Sequence, residues 1–212
     1  DFLVTHIAAL HGHLDCLQYA HENGCPFEPL DELERGRYDY NTTAASKDYM
    51  RRFKVTGTLR YLTESVAKRE HWDCVEYLIL HYPRLTAGLT TMLHNHGQQK
   101  LLQLAVDRGC EVSLEVGVRY AAAGDLEKLK FAFDHRCTRS PKILCLLAAA
   151  GNMEGLQYAF ERGCSPSADV CVAAARGGHL QCLKYAREQG CKWSREVCIV
   201  AARGGHLDCL MF

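Results

Sequence analysis

Between His179 and Gln189 the apolar side chains Leu180, Cys182, Leu183, Tyr185 and Ala186 are set against a polar set that includes Gln181, Lys184 and Glu188. These three fall at i, i+3 and i+7, a narrow stripe on a helix buried on its other sides. Just before it, Val170–Gly178 reads VCVAAARGG. That run predicts a shorter helix. Alanine has the best helix propensity, its small side chain lets a neighbouring helix come close, and the glycine pair stops the helix. Gly190 then closes the longer helix.

This two-helix unit recurs. GHLDCLQYAHENGC from Gly12 returns as GHLQCLKYAREQGC from Gly178 and begins again as GHLDCLMF from Gly205, with looser copies from Glu70, Gly97, Gly124 and Gly151. The starts at 70, 97, 124, 151, 178 and 205 are each 27 residues apart. A fixed period of this length marks stacked units that bury their faces against one another. The register predicts helix pairs over about 3–23, 59–81, 87–108, 114–135, 141–162 and 168–189, a further pair from 195, and little or no strand.

From Gly12 to Glu70 is 58 residues, two periods plus four. One degenerate unit is expected within 28–58, placing Ser46, Asp48, Met50 and Gly57 where His13, Asp15, Leu17 and Gly24 stand, with a longer loop near Pro29 to Tyr40. An irregular insertion is the competing reading. The chain opens inside one helical pattern and stops at Leu210, Met211 and Phe212 inside another. Residues 1–212 are accordingly read as one array of about seven recognisable units, truncated at both ends.

Composition narrows the classes. Hydrophobic residues at 48% and charged ones at 24% allow a sizeable core. Lys plus Arg and Asp plus Glu both number 25, so the basic excess of a general nucleic-acid or membrane-surface binder is missing. No stretch approaches the roughly 18 apolar residues of a membrane span. The opening DFLVTHIAALHGH has no basic start followed by an apolar core, so no signal peptide is expected.

The pairs Ala174 and Ala175, then Gly178, His179 and Leu180, then Leu183, then Gly190 and Cys191, with Ala201, Ala202, Gly205, His206 and Leu207 as a second instance, resemble the ankyrin-repeat family. The resemblance covers nearly the whole chain outside about 27–58. It implies an all-α fold, an α-solenoid of stacked helix-turn-helix ankyrin-like repeats. Two features depart from the family. Glu196, Val197, Cys198 and Ile199 stand where Thr-Pro-Leu-His would open the inner helix, and the period is 27 rather than about 33. The missing residues most naturally come from the projecting hairpin.

Twelve cysteines invite a disulfide or zinc reading. Cys16, Cys74, Cys182 and Cys209 share one repeat position; Cys25, Cys110, Cys137, Cys164 and Cys191 share another. Equivalent sites on stacked helices lie about 8–10 Å apart, beyond the roughly 7 Å reach of a disulfide. Only pairs such as Cys164 with Cys171, or Cys191 with Cys198, approach across a loop. The expectation is reduced core packing in an intracellular, cytoplasmic protein, with no metal and no cofactor. His13, His71, His179 and His206 share the position that opens the outer helix, where capping or inter-repeat hydrogen bonding is expected. His94 and His96, two apart, point to different helix faces. Cys145 and His135 make a conceivable nucleophile and base with no third group or oxyanion donor, so no enzyme is expected. The aromatic and basic run Arg35 to Lys54 carries Asp39 and Asp48 and is read as a surface segment.

The function expected is a non-catalytic protein–protein interaction module. An architectural subunit packed permanently in a larger complex is the alternative, and a nucleic-acid-binding solenoid a weaker one. In the resembled family the two positions between Ala-Ala and Gly-His face the partner. Here these are Leu10 and His11, Lys68 and Arg69, Asn95 and His96, Ala122 and Ala123, Ala149 and Ala150, Arg176 and Gly177, and Arg203 and Gly204. That stripe carries no acid, while the outer helices are rich in Asp and Glu. Candidate partner-binding residues are therefore Lys68, Arg69, His96, Arg176 and Arg203, bordered by the loop residues Trp193 and Arg195. The partner expected is another protein presenting an acidic segment, with no small-molecule substrate, no membrane and no nucleic acid.

Overall fold

Serine or threonine recurs at 86, 113, 140, 167 and 194, one position before each helix that follows. The hydroxyls of Ser113, Ser140 and Ser167 accept hydrogen bonds from the backbone N–H groups of Val116, Lys142 and Asp169, which satisfies donors that a helix start leaves open. The computed structural model describes residues 2–27, 62–82 and 85–212, and there these hydroxyl residues open five of the helices. Among the described residues there are fourteen helices and no strand. They are α1 (Phe2–Leu10), α2 (Leu14–Glu22), α3 (Leu62–Ala67), α4 (Trp72–His81), α5 (Ala87–Asn95), α6 (Gln99–Asp107), α7 (Leu114–Ala123), α8 (Leu126–Asp134), α9 (Pro141–Ala149), α10 (Met153–Glu161), α11 (Ala168–Arg176), α12 (Leu180–Glu188), α13 (Arg195–Gly204) and α14 (Leu207–Met211). The helix pairs fall where the 27-residue register puts them.

The chain divides into two compact units, Asp1–Cys110 and Glu111–Phe212. Inside each, helices pack mostly on sequential neighbours: odd-numbered helices, here called inner, on the next inner helix, and even-numbered, outer helices on the next outer one. In the first unit α1/α2 packs directly on α3/α4. Arg69 Nη1 donates to the Leu10 carbonyl at 2.8 Å, and His21 Nδ1 and the Tyr77 hydroxyl share a 2.8 Å hydrogen bond. Burial and neighbouring His81 hold the His21 pKa below its ordinary value. The unit expected within 28–58, with Ser46, Asp48, Met50 and Gly57, lies outside the described residues; the pairs on either side of it are neighbours in the stack.

In the second unit the inner contact is made of small residues. Ala174, Ala175 and Ala201 have no exposed surface, and Ile143, Leu144, Val170 and Val197 fill the layer beneath them. The outer helices meet more lightly, through aromatic steps such as Phe133–Tyr158 at 6.1 Å and Phe160–Tyr185 at 5.8 Å. The outer helix is less covered than its apolar pattern implies. In α12 only Cys182, Leu183 and Ala186 are buried, while Leu180 and Tyr185 are half-buried and Arg187 is exposed. The outer helix touches its own inner helix closely and its outer neighbours only edge to edge, so its buried face is a stripe.

The turn between the two helices is fixed from two directions. Gly151 and Gly178 have φ of +68° and +73°, a region that costs an L-residue roughly 1–2 kcal/mol. A Cβ on Gly178 would also lie 2.5 Å from Nδ1 of His206, and one on Gly151 2.6 Å from Nδ1 of His179. The histidine of one pair thus lies against the turn of the pair before it. His13, His71, His179 and His206 stand at helix N-caps but make no side-chain capping bond; Nε2 of His206 donates instead to the Arg176 carbonyl at 3.1 Å. Where Asp125 and Asn152 hold the same place, their side chains do cap, accepting from the N–H of Lys128 and Gly155. Arg136 and Glu70 take positive φ, both 61°, without being glycine.

Chemical unfolding measures this account. Arg136→Gly should stabilise the chain by about 1 kcal/mol, because the 3.9 Å pair it loses with Glu111 is exposed and weak. Gly178→Ala should destabilise it by more than that. Leu183→Ala should cost about 2–5 kcal/mol, and Gln181→Ala should stay within about 0.5 kcal/mol; equal losses at these two sites would contradict the burial assigned to α12.

Candidate functional site

The seven sequence-derived residues divide between the two units. In the first unit Lys68, Arg69 and His96 are exposed at the ends of inner helices. Arg69 is already used, donating to Leu10 O. His96 lies 3.3 Å from a Glu70 carboxylate oxygen and its ring is 5.2 Å from that of Trp72. An acid therefore sits beside the stripe expected to have none. Leu10, expected on the presented stripe, is buried beneath the next pair. A shallow hollow of about 560 Å³ lies elsewhere in this unit, between Ile79–Tyr82 with Leu85 and Arg108–Cys110.

The second unit brings three of the seven together. Arg176 at the end of α11, and Arg195 and Arg203 at the two ends of α13, line an open groove of about 620 Å³ with Glu196, Ile199, Val200 and Gly204. The register explains the arrangement. Arg176 and Arg203 are one 27-residue period apart, and the bond from His206 to the Arg176 carbonyl ties the end of α11 to the turn after α13. Among the described residues none of the three guanidiniums is in an ion pair. Ile199, 49% exposed, and Val200 form an apolar floor between the charges. Neither Ile199 nor Glu196 was picked out from the sequence as a site residue. The available signal was spacing, since Arg195, Ile199 and Arg203 are four apart and share one helix face.

Trp193 does not line this groove. Its ring, 37% exposed, packs 5.9 Å from Phe212 and under the Arg187 guanidinium at 5.7 Å, groups of the outer helices. The acid-rich outer face is partly neutralised: Arg162 pairs with Asp134 at 2.8 Å, Lys128 with Asp125 at 2.9 Å and Lys130 with Glu127 at 2.8 Å. The run Arg35 to Lys54 lies outside the described residues.

The cysteines follow the packing. All twelve are free and eight are buried. Cys16 is exposed whereas Cys74, Cys182 and Cys209 at the same repeat position are buried, because that position faces the preceding outer helix. The loop cysteines reach back to the start of the pair they close: Cys110 Sγ donates to Thr86 O at 3.2 Å and Cys137 Sγ to Ser113 O at 3.5 Å. The thiols that meet are Cys171 and Cys191, not the cross-loop pairs 164–171 and 191–198. Cys171 donates to Cys191, which raises the pKa of Cys171 and lowers that of Cys191. Burial pushes Cys145 up to about 11, opposite to the shift that activates a thiol, and the His135 ring rests 4.6 Å from Phe131. No group of three or more His, Cys, Asp or Glu side chains gathers as a metal site among the described residues. Nor is any helix there long and apolar enough to cross a membrane.

No protein-family model matches the chain, and no curated protein matches it.

Thiol kinetics read this burial directly. A disulfide-exchange reagent at pH 8 should react first with Cys16, and Cys16→Ser should remove that fast phase. In denaturant all twelve thiols should react. A fast phase that survives the substitution would mean a buried position opens readily.

Proposed function

We propose that this protein is a non-catalytic, intracellular protein–protein interaction module, an ankyrin-like solenoid of shortened 27-residue repeats. The observation that carries this reading is the groove of the second unit, where the guanidiniums of Arg176, Arg195 and Arg203, in no ion pair among the described residues, converge over an apolar floor. A charged groove on packed helices is inexpensive to hold open, because the backbone beneath it is ordered before any partner arrives. Its charge suits an acidic segment of another protein, and arginine is frequent among residues that dominate interface energies.

The alternative reading is an architectural subunit packed permanently in a larger complex, which would show itself as a large, apolar, obligate contact. Nucleic acid is the weakest of the three, since the net charge is zero.

Affinity capture from extract, followed by titration of the captured protein against purified chain, tests the reading. The double substitution Arg176→Glu with Arg203→Glu should weaken binding about tenfold or more and flatten its salt dependence, with far-ultraviolet circular dichroism unchanged. Unchanged affinity would remove the groove as the site. A partner that co-purifies indifferent to salt would favour the architectural reading, and preferential binding of RNA with a steep salt slope would favour the third.

A further inference from the structure

We propose that the groove along α13 reads a spaced motif: an extended segment in which two acidic residues, four positions apart, bracket an apolar one. The inference rests on the interaction-module reading above and specifies its ligand. Arg195, Ile199 and Arg203 stand at i, i+4 and i+8 on one face of α13 and line one groove. With about 1.5 Å of rise per residue, the two arginine backbones are about 12 Å apart and Ile199 lies midway between them. An extended chain advances about 3.3 Å per residue and presents every second side chain to one side, so residues i, i+2 and i+4 span about 13 Å on one face. An acid–x–apolar–x–acid segment therefore sets two carboxylates against Arg195 and Arg203 and its apolar side chain on Ile199.

Two details sharpen the match. Arg176 is one period from Arg203, on the adjacent inner helix about 8–10 Å away, so the acid at that end meets two guanidiniums and contributes more than its counterpart at Arg195. Glu196 lies in the groove wall beside Arg195 and repels a third carboxylate placed there. Pattern, not bulk negative charge, decides binding. At the equivalent positions of this unit Val118 and Cys145 are part-buried and Val172 is buried, so Ile199 is the most open of the four.

Fluorescence anisotropy with three labelled peptides on the 212-residue chain tests the motif. The first is Ser-Glu-Ser-Leu-Ser-Glu-Ser, the second has its two Glu adjacent, and the third has Leu replaced by Ser. The first peptide should bind about tenfold tighter than either of the others. Arg203→Glu should cost it more than Arg195→Glu, and Lys100→Glu, exposed in the first unit, should cost nothing. A peptide carrying Lys in place of the Glu that meets Arg195 should bind Arg195→Glu better than the parent peptide does. Equal binding of the first two peptides would overturn the spacing, and binding insensitive to all three arginines would overturn the location. If the first peptide fails to bind while a captured protein is still lost on reversing Arg176 and Arg203, the motif is wrong and the interaction-module reading stands.

Discussion

A helix of nine residues cannot hold itself in water, because its nucleation cost is spread over too few hydrogen bonds. Most of the helices here have that length, so each depends on the pair beside it. The contact that supplies this support is between inner helices. Ala174, Ala175 and Ala201 bring those helices close enough for Val170, Ile143 and Val197 to interlock, and each is fully buried. Other features of the second unit follow from it. The outer helices can afford lighter aromatic steps, and the ends of α11 and α13 are held at one level, which is why Arg176 and Arg203 face a common groove.

The polar residues serve the same interface by different chemistry. The position that opens an outer helix holds His, Asp or Asn in every pair but one, where Gln98 stands, and His serves a different neighbour from Asp and Asn. Asp125 and Asn152 have short side chains and satisfy N–H groups of their own helix. The longer histidine reaches past that N-terminus to the previous turn, and it fits there because glycine leaves the space open. Loop cysteines act within a pair instead: Cys110 and Cys137 donate to carbonyls at the start of their own pair's inner helix. A small, weakly polar thiol can be buried at such a junction with little desolvation cost, which accounts for the high cysteine content without disulfide or metal chemistry.

Periodic features were legible in the sequence. The helix pairs, the glycine turns and the placing of His179 and His206 between consecutive pairs all derive from a pattern written several times in one chain. What was not legible depends on neighbours that the pattern does not name. Leu10 lies on the stripe that elsewhere holds Lys68 and Arg176, yet it is covered. Cys16 has the sequence context of Cys182 but nothing described packs on its outward side. Trp193, adjacent in sequence to Arg195, turns toward Arg187 and Phe212 instead of the groove, since its ring finds an aromatic edge and a guanidinium there. The groove itself needed two registers read together, the 27-residue period joining Arg176 to Arg203 and the helical period joining Arg195, Ile199 and Arg203.

The seating of a histidine against the turn before it also bears on how such a gene changes. His179 rests on Gly151 and His206 rests on Gly178 in nearly the same geometry. Unequal crossing-over that removes or adds one whole 27-residue segment leaves a histidine facing a glycine turn at the new junction, so the recombinant chain inherits a complete interface. A crossover out of phase joins a helix to the wrong partner and yields no such contact. Selection on folding alone thus preserves the period while leaving the number of units free to drift, and the charges on the inner helix ends can diversify one copy at a time.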